Sequence, residues 1–143
     1  MVCRRKCKNI ILLAIGIISL FIGGLIYLLF RTRNLIMFLF IPSAIADWFG
    51  KVSLFLDWNI PDWVNYSLPD GLFSISYICI MSALWSDNHK TKKVWVLSLP
   101  ISLILVELLQ LLNLVPGTFD YIDLIFFSAP VIVTLILYIY EKL

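Results

Sequence analysis

Between Asn9 and Phe30 the chain runs for 22 residues without a charged side chain. A helix of that length exceeds the ~30 Å hydrocarbon core of a bilayer at ~1.5 Å per residue. Lipid offers no partner to a free backbone N–H or C=O, so a segment crossing it must satisfy these groups internally, as a helix does. The composition agrees: 62% of the 143 residues are hydrophobic and 14% charged, with a mean hydropathy of +0.99. A soluble domain is roughly 45–50% apolar and about 25% charged, and a chain this short could not hide the excess. The expected fold is an all-α integral membrane bundle, one polytopic domain over residues 1–143.

The N-terminus imitates a secretory signal, with Arg4, Arg5, Lys6 and Lys8 before the apolar run and Ala44-Ile45-Ala46 resembling a cleavage site. The run is longer than the ~7–15 residues of a signal core, and the small residues lie far beyond it. An uncleaved first span is therefore expected. Cys3 and Cys7 read as free thiols of the leader and Cys79 as a small core hydrophobe, with no disulfide framework.

Four spans are expected, over about 9–30, 71–85, 94–114 and 121–140. Ser19 and Gly23 form a small-xxx-small pair, with Gly24 adding to that face, where another helix can approach closely. Pro130 is expected to kink the last helix, because it removes a backbone donor and crowds the preceding turn. Residues 31–70 read differently. Leu35 to Ala46 is apolar but too short to cross, and Asp47 and Lys51 follow it. Trp48, Trp58, Trp63 and Tyr66 favour the headgroup level. One or two short interfacial or re-entrant helices are expected there. The basic leader and the three lysines of loop 86–93 both belong in the cytoplasm. Four spans with residues 35–56 on the outer face satisfy that rule and leave both termini inside, although Arg31 and Arg33 then face outward.

This topology gathers Asp57, Asp62, Asp70, Asp120 and Asp123 on the outer side. Glu107 is the only acid inside a long apolar run. At membrane depth a charge costs ~2.5–3.5 kcal/mol on insertion scales, so it marks a site or a buried partner. It is expected about 12 Å below the outer end of its helix, with Gln110 on the same face and nearer the surface. Glu107 and Asp123 are the candidates for a catalytic acid or base. Glu107, Gln110, Asp120, Asp123 and Asp70 are the candidates for binding a substrate or partner in an outward-opening notch. Each has a plainer reading too. Asp120-Tyr-Ile-Asp123 has the spacing of a capping box, and Asp70 is expected at a helix start, where the dipole favours negative charge. Glu107 could bond to a neighbouring helix or pair with Arg31 or Arg33. The lone histidine, His89, leaves a histidine-based metal site or nucleophile without its parts. Glu107, Asp120 and Asp123 suit a hard cation in ligand type, but no spacing specifies one. Neither a cofactor fingerprint nor a nucleic-acid stripe is present.

The second half of the chain resembles the VanZ-like family of small bacterial membrane proteins. Glu107-Leu-Leu-Gln110 and Asp120-Tyr-Ile-Asp123-Leu124-Ile125 match its Glu-x-x-Gln and Asp-x-x-Asp-Leu-Leu elements in order and spacing, and Leu68-Pro69-Asp70-Gly71-Leu72 resembles its Asp-Lys segment. Gly71 stands where that family has lysine and Ser74 where it has histidine. The turn before Asp120 lacks the family's arginine, and Phe127 and Pro130 replace asparagine and glycine. The likeness covers roughly residues 67–130. It implies a protein of the bacterial cytoplasmic membrane associated with the cell envelope, in a family whose founding member is linked to teicoplanin resistance without a settled biochemical activity.

Three functions follow as expectations. The first is an envelope protein whose acidic notch binds a membrane lipid, a cell-wall precursor or a glycopeptide headgroup. A second is an accessory subunit, meeting a protein partner through the polar face of span 94–114 or through region 31–66. The third is a membrane-embedded enzyme using Glu107 or Asp123 on a lipid-linked substrate.

Overall fold

The computed structural model describes residues 2–30, 40–56, 60–85 and 89–140. The helices are α1 (Val2–Phe30), α2 (Ser43–Leu56), α3 (Asp62–Leu84), α4 (His89–Leu111) and α5 (Tyr121–Tyr140). Among the described residues there is no strand. All but α2 are long and apolar enough to cross a membrane. At 14 residues, α2 reaches only ~21 Å, so it is a short helix inside the region read as non-spanning, and it packs on α1. Arg31, Arg33, Asp57 and Trp58 lie outside the described residues.

The centre of the bundle is α3, which packs against α1, α4 and α5. Lipid tails are as apolar as leucine, so membrane helices associate through close packing and small residues rather than by expelling water. Ser67, Gly71, Ser74, Ser76, Ser82 and Ala83 are all buried in α3. On α1 the matching notches are Gly16, Ser19 and Gly23, each buried. A Cβ on Gly16 would come within 2.7 Å of Ile80 Cγ1, and one on Gly23 within 3.3 Å of the Pro69 carbonyl. Gly24 does not belong to this face, since nothing lies within 4 Å of where its Cβ would be.

The span expected to begin at residue 71 begins at Asp62, and Asp70 therefore stands inside the helix rather than at its start. In water Pro69-Asp70-Gly71 would end a helix. Here Pro69 is fully buried and Gly71 accepts Phe126 of α5 so closely that a Cβ would lie 2.6 Å from Phe126 Cδ1. Neighbouring helices hold such a segment in place, which is why proline and glycine are tolerated in membrane helices. Pro130 likewise lies within α5, whose helix continues unbroken to Tyr140.

The span expected to reach residue 114 ends at Leu111, for a local reason. Asn113 has φ 56°, and the N–H groups of Asn113 and Leu114 donate to the carbonyls of Gln110 (2.9 Å) and Leu109 (3.0 Å). This is a Schellman ending with asparagine in the left-handed position.

Candidate functional site

Glu107 lies one turn before that ending and is 6% exposed. The backbone N–H of Asp120 donates to its Oε1 at 2.7 Å. Asp120 Oδ1 in turn accepts the N–H of Ile122 at 2.8 Å, and the Asp120 carbonyl accepts the N–H of Leu124 at 3.2 Å. Asp120 is thus the N-cap of α5. The carboxyl group of Glu107 ties the end of α4 to the start of α5 across the 112–120 turn, where exposed helix N–H groups and the dipole favour an acceptor.

The capping box is only half formed. In such a box the acid three residues after the cap reaches back to the N-cap N–H. Glu107 already holds that donor. Asp123 is half-buried, and its Oδ1 is enclosed with no hydrogen-bond partner among the described residues.

The surroundings of Asp123 follow from helix register. Phe126 lies against Gly71, and its ring stacks with that of Trp63 at 6.1 Å. Ser67 precedes Gly71 by four residues and Asp123 precedes Phe126 by three, so both stand about one turn beyond that contact on facing sides of α3 and α5. Ser67 is fully buried, and its Oγ also lacks a partner. Ser74, one turn to the other side of Gly71, repeats the pattern.

Gln110 does not join Asp123. Its side-chain amide packs over Gly117, so closely that a Cβ there would collide with it, and Gly117 has φ +142° besides. Asp70 is half-buried within α3 and interacts within the chain. Among the described residues no group of three or more His, Cys, Asp and Glu side chains is placed to hold a metal ion.

Sequence reasoning missed Ser67, because residues 57–70 read as interfacial. Its signal was the helical spacing of Ser67, Gly71, Ser74, Ile78 and Ser82, which runs through Pro69 without a break in phase. Comparison with protein-family models, with curated proteins and with solved structures finds no match to this chain.

Proposed function

We propose that this chain is a small envelope membrane protein, similar in kind to VanZ-like proteins, whose acidic end receives the hydrogen-bond-donating headgroup of a lipid or cell-wall precursor. The observation that carries this is that Asp123 Oδ1 and the Ser67 hydroxyl are both buried without a partner, at positions that helix register sets on facing sides of α5 and α3. Leaving a polar group buried and unpaired costs ~1–3 kcal/mol, which a donor from outside would recover. A carboxyl oxygen accepts, so the missing group must donate: an amine or a hydroxyl. An ammonium would bond about twice as strongly as a neutral donor. Glu107 and Asp120 are committed to the α4–α5 junction and serve as its frame. The polar side of α4 meets α5 within the chain, which favours a binding role over docking of a separate subunit on that face.

The test exploits two lipids that differ in donors. Phosphatidylethanolamine carries N–H groups, whereas phosphatidylcholine has the same phosphate and none. Native mass spectrometry should show the wild type retaining the first preferentially. Asp123→Asn should reduce that preference about tenfold or more, the scale of one charge-assisted bond of at least ~1.5 kcal/mol, while Glu107→Gln keeps it. Equal retention of both lipids by the wild type would sink the reading. A lipid whose mass changes on incubation, with turnover lost in Asp123→Asn, would instead favour acid/base chemistry at the same carboxyl.

A further inference from the structure

A second feature runs along α3 from the Gly71–Phe126 contact toward the opposite end of the bundle. α1 and α5 both pack on α3 yet make no substantial contact with each other. Between them runs a groove of about 520 Å³, from Leu68 and Phe126 past Ile75, Ala129 and Val133 to Lys8, Lys92 and Tyr138. Its floor is α3 from Leu68 to Ser82, a length of ~21 Å at ~1.5 Å per residue.

We infer that this groove holds an acyl chain of an anionic phospholipid, with the phosphate at Lys8 and Lys92. Three observations commit it to that occupant. The walls are apolar over nearly their whole length, and the hydroxyl of Thr134, one of the few polar groups, is already spent on the Pro130 carbonyl at 2.7 Å. The groove is long and shallow, about 520 Å³ along ~21 Å of helix, a shape that suits an extended polymethylene chain better than a helix ~10–12 Å in diameter. Finally, the charged residues that line the groove, Lys8 and Lys92, lie together at one of its ends. The described side chains of α1, α3, α4 and α5 place Lys6, Lys8, Lys92 and Lys93 at the end where α1 and α4 begin, with no acid among them. A basic pocket between membrane helices suits an anionic headgroup. Lys8, Lys92 and Tyr138 each also interact within the protein.

Neither Asp123 nor Ser67 lines this groove, so the groove would survive the loss of the Asp123 carboxyl. The test places the full chain in phosphatidylcholine vesicles doped with phosphatidylglycerol or phosphatidylcholine bearing the same photoactivatable tail. Phosphatidylglycerol should label Ile75, Cys79, Ala129 and Val133 in preference to the outward residues Ile18 and Leu105. The double variant Lys8→Ala, Lys92→Ala should lower that labelling about thirtyfold. Ala129→Trp, at an exposed position that a larger ring can occupy without disturbing the helix packing, should block it, while Asp123→Asn leaves it unchanged. Equal labelling by the two lipids, or labelling spread evenly around the bundle, would overturn the proposal. So would a protein crosslink from the groove to a second chain.

Discussion

The two ends of the bundle are closed by different means. At the end bearing Lys8 and Lys92, rings do the work: Trp85 stacks on Trp95 at 5.7 Å, and Lys93 lies 5.2 Å from the centre of the Tyr138 ring. Tyr77 adds an interhelical link, its hydroxyl donating to the Trp95 carbonyl at 3.0 Å and sharing a hydrogen bond with Ser98 Oγ at 3.0 Å. At the opposite end a buried carboxyl group and a capping aspartate close the α4–α5 turn through backbone N–H groups. Ring contacts of this kind tolerate the loss of one member. A buried carboxyl bonded to the backbone does not, because its removal strands a donor away from water. The acidic end should therefore be the more easily broken of the two.

Substitutions can rank that difference. Gly71→Leu should do most damage, about 3 kcal/mol or more, by driving Phe126 and the start of α5 off α3. It would appear as a large loss of thermal stability in mild detergent. Glu107→Ala should cost about 2–3 kcal/mol, since it removes a bond to an ionisable partner and orphans the Asp120 N–H. At the other end, Trp95→Ala should cost only about 1 kcal/mol, the scale of one aromatic pair, because the indole is already half exposed. Tyr77→Phe should be the mildest, about 0.6 kcal/mol, typical of a single interhelical hydrogen bond in a membrane. If Trp95→Ala proved more harmful than Glu107→Ala, the contrast between the two ends would be reversed.

How much of this could be read beforehand depends on which force decided each element. α5 was legible at both ends, because a largely apolar run follows the acids Asp120 and Asp123 and ends before a charged tail. The start of α3 was not. Pro69, Asp70 and Gly71 are breakers by local propensity, and only the approach of α1 and α5 turns them into packing surface. Glu107 announced itself as a buried acid, and its bond to a neighbouring helix was among the readings its position allowed. The identity of the donor was hidden, since it depends on Asn113 and Gly117 folding the turn back over the helix end. Asp123 shows the converse. Its spacing from Asp120 fits a capping box, but a residue 16 positions earlier, Glu107, takes the donor first.

That competition for one N–H group is the centre of the structure's logic, and the amide of Asp120 reports on it directly. Backbone NMR of the wild-type chain in detergent should find the Asp120 amide proton shifted strongly downfield and protected from exchange. Glu107→Ala should move it upfield and expose it, Glu107→Gln should do so partly, and Asp123→Asn should leave it in place. An Asp120 amide that exchanges freely in the wild type, or that responds to Asp123→Asn instead of Glu107→Ala, would contradict the assignment of Glu107 as the clasp and of Asp123 as the carboxyl left for a ligand.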